Sequence, residues 1–317
     1  MIKLGVVYLL AGLVFAAFAV LSALDRNNTK QFGNALFWGL VAVSFLAGER
    51  LGDLGNGVLV LALALIAGFG LLGRGQPATT SPEERRTLAE RFGNRLFIPA
   101  LVLPLVVAFG VLVLKPLKVG DSFLLDPKQA TLISLALAAI LATATGLLLL
   151  RQPAISPLQE GRRLMDTVGW AALLPQCLAA LGAVFALAGV GNLIGELVTS
   201  YLPVDTRLAA VIVYCVGMAA FTVIMGNAFA AFPVLTAGVG LPILMKHFGG
   251  DPAVVASIGM LSGFCGTLMT PLAANFNLVP AALLELPDRY AVIKAQIPTA
   301  LPLLLVNVVL MYVLAFR

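Results

Sequence analysis

The sequence predicts an all-α, polytopic transmembrane helical bundle, and three observations carry that prediction. Apolar residues make up 60% of the chain and charged residues only 11%, whereas soluble domains are about half apolar and about a quarter charged. Mean hydropathy is +1.02, and uncharged stretches near the ~20 residues that cross a bilayer as a helix recur from end to end. Strand-like alternation is nowhere sustained, so backbone at membrane depth has to satisfy its own hydrogen bonds as helix. The lipid bilayer is therefore the first partner, and a bacterial inner membrane the expected location.

Residues 1–190 read as six regular spans, at about 4–24, 32–48, 57–73, 96–114, 130–150 and 168–190. The first resembles a signal peptide in having Lys3 ahead of an apolar run, but that run outlasts the ~7–15 residues of a signal's apolar region. Polar connectors separate the spans at 25–31, 49–56, 74–95, 115–129 and 151–167. Connectors one, three and five hold ten basic residues (Arg26, Lys30, Arg74, Arg85, Arg86, Arg91, Arg95, Arg151, Arg162 and Arg163). Connectors two and four, with Lys3, hold five (Arg50, Lys115, Lys118 and Lys128 being the others). Basic residues collect on the cytoplasmic side, so the odd connectors are expected inside and the N-terminus outside. In connector three, Ser81-Pro82-Glu83-Glu84 followed by Arg85, Arg86 and Arg91 reads as the start of a short amphipathic helix.

Residues 191–317 read differently. The stretch 191–207 is too apolar for a loop and too interrupted for a span. From Leu208 to Met245 there is no charge, and the run is broken by Gly226-Asn227 and by Pro233, Gly238, Gly240 and Pro242. From Ala253 to Leu284 there is again no charge, with breaks expected at Gly263, Gly266, Thr270-Pro271, Asn275 and Asn277. A final span runs from about 297 to 316. The chain thus divides into 1–190, with regular helices, and 191–317, a broken-helix or re-entrant-hairpin region closed by one more span.

Several function classes fall away. The net charge of +5 sits in short loops, which does not suggest nucleic acid. Cys177, Cys215 and Cys265 are isolated in apolar runs and read as packing residues, and no spacing suggests a metal site. His247, beside Lys246, reads as a loop histidine. No phosphate-binding loop is present, and Gly52-Asp53 lacks the preceding glycine that intramembrane aspartyl proteases place there. The chain is not read as an enzyme, and no cofactor is expected.

What remains is the pair of broken stretches. Non-helical backbone within a membrane survives where protein buries it or where it lines a cavity, and carriers use such breaks to aim half-helix N-termini at anions and freed carbonyls at cations. Asn227, Thr267, Thr270, Asn275 and Asn277 are the candidate substrate- or ion-binding side chains, with Gly226, Gly266 and Pro271 shaping the backbone. One at a time, such residues are better accounted for by packing and kinking; two clustered breaks reverse that balance in favour of a substrate or ion path. Glu196 stands as a coupling acid if it lies at depth, or as an outer-boundary residue beside Asp205 and Arg207. Without an acid in the broken stretches, neutral oxygens and carbonyls are hard ligands that suit Na+ as the coupling ion.

The run from Gly263 to Leu286, GFCGTLMTPLAANFNLVPAALLEL, resembles the signature of a bacterial membrane family, the domain of unknown function 979 family. The runs Leu9 to Val20 and Phe32 to Gly39 also look like that family, so the resemblance extends over the whole chain. Members are named as subunits of a 5-oxoproline (pyroglutamate) permease. The resemblance implies a smaller membrane subunit of a sister family as partner, the two being like halves of one ion-transporter-superfamily carrier. The expectation is a subunit of a secondary transporter for a small organic anion such as 5-oxoproline. The alternative is a non-transporting membrane scaffold that stabilises a partner carrier.

Overall fold

In the computed structural model, every residue is described except 1, 74, 76–80, 120–121, 203, 285 and 317, together with the side chains of 82, 175 and 179. Among the described residues, eight helices are long and apolar enough to cross a membrane, and the fold is the expected helical bundle. Two compact units divide it, Met1–Gly169 and Trp170–Arg317. The packing boundary lies at the start of the sixth apolar stretch, after Gly169, whereas the change in regularity expected from sequence lies at 190. That stretch is regular in sequence, but it packs with the helices C-terminal to it.

In the first unit, α1 (Leu4–Ala23) lies along α2 (Gln31–Gly68), with Phe15 stacked on Trp38 and Phe45 at 5.7 Å. α2 contains two of the expected spans. Connector 49–56 does not interrupt it as a loop; the only non-helical residue is Gly52, at φ 62° and ψ −176°. This region is open essentially to glycine alone, so one residue reverses the chain and the exposed Glu49, Arg50 and Asp53 sit at the corner. The arms return antiparallel. Asn56 donates to the Gly48 carbonyl (2.9 Å) near the corner. At the open end Asn34 donates to the Gly73 carbonyl (2.6 Å) and accepts from its N–H (2.8 Å).

α3 (Pro82–Phe92) is the amphipathic helix anticipated in connector three. Ser81 and Glu84 form a reciprocal capping box, which satisfies two otherwise orphan N–H groups. α4 (Phe97–Phe109) continues through a π-turn at Gly110–Leu114 and packs on α5 (Ala130–Leu150). A two-residue ladder at Lys118–Val119 and Ser122–Phe123 joins them. Connector 151–167, read as polar linker, is largely helical as α6 (Ser156–Val168): Arg162 and Asp166 recur one turn apart on a buried face.

The second unit contains α7 (Leu174–Leu187), α8 (Val190–Tyr201), α9 (Arg207–Met225), α10 (Ala228–Leu235), α11 (Pro252–Thr267), α12 (Ala274–Leu283) and α13 (Ala291–Leu314). The interrupted 191–207 stretch is thus mostly α8. Its Gly191 and Gly195 let it pack against Gly238, where any added Cβ would press on backbone, the close approach that small residues permit in membranes. Pro233 and Pro242 do not break the chain as expected. Pro233 lies inside α10, which passes directly into a π-helical segment, Thr236–His247, that contains Pro242. Pro242 thus falls where the ladder is π rather than α. Gly263 and Gly266 lie within α11, and Asn275 and Asn277 within α12, so they do not break helices either.

Candidate functional site

The real interruptions are two. α9 ends at Gly226, whose φ of 73° is left-handed, and α10 begins after Asn227. The chain reverses there: Tyr214 of α9 and Thr236 beyond α10 are hydrogen-bonded through their hydroxyls at 3.0 Å, and Gly217 faces Leu235. Asn227 caps α10 by accepting from the Phe229 N–H (2.8 Å). The second interruption is 268–273, between α11 and α12. α11 runs parallel to α9, with Gly259 against Tyr214, Gly263 against Met218 and Gly266 against Ala219 and Thr222. Both helices therefore reach their breaks at the same level.

The two breaks touch. Thr270 Oγ1 donates to the Val223 carbonyl (2.9 Å) and accepts from the Leu272 N–H (3.2 Å). A Cβ on Gly226 would stand 2.7 Å from the Leu272 carbonyl oxygen, so glycine is required there both for its φ and for the approach of the second break. Asn277 is fully buried and donates to the carbonyls of Thr267 (2.8 Å) and Thr270 (2.7 Å). Two carbonyl contacts fix which end of its amide is nitrogen. Its Oδ1 and the Oγ1 of Thr222 are buried with no hydrogen-bond partner, a costly state for polar atoms. Thr267 Oγ1 donates to the Phe264 carbonyl (2.6 Å). Asn275 is half-buried in the first turn of α12, makes no side-chain hydrogen bond among the described residues, and shares that turn with no side-chain cap. Pro271 is exposed in the turn. Cys265 lies against Asn307, about two turns from the end of α13, so the interruption falls alongside the central part of that spanning helix.

Glu196 does not belong to this arrangement. It is exposed on α8, and its carboxylate makes no hydrogen bond or ion pair among the described residues. His247 ends the π-helical segment, exposed and edge-on to Phe248 at 4.6 Å. Cys215 and Cys265 are packing residues, but Cys177 is exposed on α7. Outside the spans, Asp288 is held below the usual carboxylate range by its hydrogen bond from Lys294.

Sequence reasoning missed a second polar cluster, in the first unit. Arg162 pairs with Asp25 (3.0 Å), each about 5% exposed, and donates to the Leu21 carbonyl (3.0 Å). One turn on, Asp166 accepts from Trp38 Nε1 (2.8 Å). Gly75 packs so closely that its Cβ would fall 2.5 Å from Asp166 Oδ2 and 3.2 Å from Asp25 Oδ2. The i, i+4 spacing of Arg162 and Asp166 was the available signal.

The model of a family described as "Protein of unknown function (DUF979)" matches residues 5–316. The chain is a DUF979 protein. The family likeness carried by the 263–286 run thus extends through both units of this DUF979 protein. No curated protein matches it. Among solved structures, it is similar to the YdaH transporter of Alcanivorax borkumensis, with 20% identity over 96% of this chain and 73% of that one and a TM-score of 0.33. A score this low carries nothing from that transporter to this DUF979 protein.

Proposed function

We propose that this DUF979 protein is a subunit of a secondary transporter in the bacterial inner membrane, carrying a small organic anion at the junction of its two interrupted helices. One observation supports this reading above the others: the Gly226-Asn227 reversal meets the 268–273 interruption beside the middle of a spanning helix, with buried oxygens left unsatisfied. Helix interruption at membrane depth is costly unless protein buries it or it lines a cavity, and the unsatisfied buried oxygens favour the second. The N-terminal ends of α10 and α12 present partial positive charge, which suits a carboxylate. The candidate residues then divide by role. Thr267, Thr270 and Asn277 hold the interruption open, with Gly226, Gly266 and Pro271 shaping its backbone. Asn275 and the Asn227 amide nitrogen hydrogen-bond the substrate. 5-Oxoproline, a carboxylate joined to a lactam, suits amides that both donate and accept. The acid-free oxygens favour Na+ as coupling ion, and a smaller membrane subunit completes the carrier.

The test is uptake of labelled 5-oxoproline into proteoliposomes, with this chain alone and with its partner, under a sodium or a proton gradient. Asn275→Ala removes no hydrogen bond of the fold, so it should leave assembly intact. Loss of a charge-assisted bond to a buried carboxylate costs about 1.5–3 kcal/mol, or roughly tenfold to a hundredfold in affinity. Thr145→Val, on the regular helix α5, is the control. An Asn275→Ala carrier that assembles and takes up substrate as well as Thr145→Val sinks the assignment and favours the scaffold reading. Uptake driven by protons without sodium sinks the coupling assignment alone.

A further inference from the structure

The first unit holds a cavity of about 660 Å³ that the transport reading does not use, a volume within the ~300–1,000 Å³ of small-ligand sites. It lies beneath α3, between the C-terminal end of α5 and the amphipathic α6. We propose that this cavity seats an anionic glycerophospholipid drawn from the bilayer leaflet on that face.

Position comes first. α5 ends at Leu150, where Arg151 turns the chain left-handed; this is the level at which an apolar span gives way to charged connector. Leu148, on the same turn, is 80% exposed, so lipid-facing surface adjoins the cavity. The lining has both characters of a lipid. Leu88, Ala89, Leu96, Leu147 and Leu150 supply apolar surface, and Arg85, Arg163, Gln152 and Gln159 supply polar groups. A water-soluble ligand has no use for that apolar surface, and an apolar one leaves the polar groups unused.

Charge selects the headgroup. The lining itself sets two acids, Glu84 and Glu160, against two arginines, Arg85 and Arg163, with Glu160 paired to Arg163 (2.8 Å), so the preference for an anionic headgroup comes from the face around the cavity. Connectors one, three and five, which share this face, carry ten basic residues against six acidic ones; the N-terminal segment with connectors two and four carries five against four. A net basic face at the ends of spanning helices recruits anionic lipid, and each basic group near the headgroup contributes about fivefold in binding. Arg163 can turn one face of its guanidinium to a phosphate while keeping Glu160, since a guanidinium has five donors.

Gly146 supplies a test. It lines the cavity, and a Cβ there would meet only Pro99, at 3.9 Å, so a side chain can start from this position, and Gly146→Leu is the cavity-filling variant. The full chain, purified in detergent, is titrated with phosphatidylglycerol, with phosphatidylcholine of the same acyl chains, and with glycerol phosphate, and bound lipid is read by native mass spectrometry. Phosphatidylglycerol should be retained about fivefold or more over phosphatidylcholine. Arg163→Gln should reduce that preference about fivefold; Gly146→Leu should abolish retention while the thermal midpoint without lipid is unchanged. If Gly146→Leu fails to fold, Thr143→Leu, on the exposed side of the same lining, replaces it. Equal retention of the two lipids overturns the proposal, as does retention unaffected by a folded cavity-filling variant. Glycerol phosphate binding as tightly as the whole lipid also overturns it, because the apolar surface would then play no part.

Discussion

Arg162 is the residue on which the first unit's polar packing turns. It stands 4% exposed beside Asp25 and one turn before Asp166, so removing its guanidinium takes a cationic partner away from buried carboxylate charge. Breaking such a pair from one side costs about 3–5 kcal/mol, whereas replacing both partners by apolar groups is often neutral. Arg162→Met should therefore lower the thermal midpoint in detergent strongly, and Arg162→Met with Asp25→Leu should recover much of the loss. A double variant no better than the single one would mean that Arg162 acts through its bond to the Leu21 carbonyl instead. The sequence counted Arg162 only among the basic connector residues, because nothing local reveals a partner at Asp25. By contrast Asn277, Thr270 and Thr267 were legible as candidates: polar side chains are rare in an uncharged run, and all three lie at the break. Their division of labour was not legible, since it depends on which carbonyls each one reaches.

At the scale of elements, the sequence revealed where helices are interrupted better than how they survive. Gly226-Asn227 and Thr270-Pro271 were readable because glycine in the left-handed region and proline both end a helical ladder. Pro233 and Pro242 were misread as breaks: Pro242 falls within a π-helical segment, and Pro233 within the α-helix that passes directly into it. Gly52 was passed over as part of a polar connector, though it alone makes the corner of α2. Its conformation sets a test. Gly52→Ala should cost about 1–3 kcal/mol of stability, and Gly226→Ala more, since it adds a clash with the Leu272 carbonyl to the same strain. Gly57→Ala, elsewhere in α2 with open space and no positive φ, should instead be neutral or gain up to about 1 kcal/mol from helix propensity. Thermal unfolding of the three variants checks the order, and equal midpoints would mean that the corner is not held at Gly52.

At the scale of the molecule, membrane sidedness is where sequence and packing can be made to agree or to conflict. Charge alone placed connectors one, three and five together, and their packing in the first unit groups them independently. Asp25 meets Arg162, Asn34 meets Gly73, and one cavity joins α3 to α6. At the opposite end Ile2 exchanges backbone hydrogen bonds with Leu124 and Asp126 (2.8 and 3.1 Å), which ties the N-terminal segment to connector four. Two faces are thus distinguished by contact, and the basic asymmetry predicts that the odd one is cytoplasmic. Single cysteines at Thr87, exposed on α3, and at Ser122, exposed in connector four, should label from opposite sides in a background where Cys177 is replaced by serine. Ser122→Cys should react with an impermeant maleimide in intact cells, and Thr87→Cys only in inverted vesicles. Both reacting from one side would break the grouping of connectors and with it the first unit's fold. A clean exchange of sides would spare the fold and reverse only the charge assignment, moving the face that bears the lipid cavity to the outer leaflet.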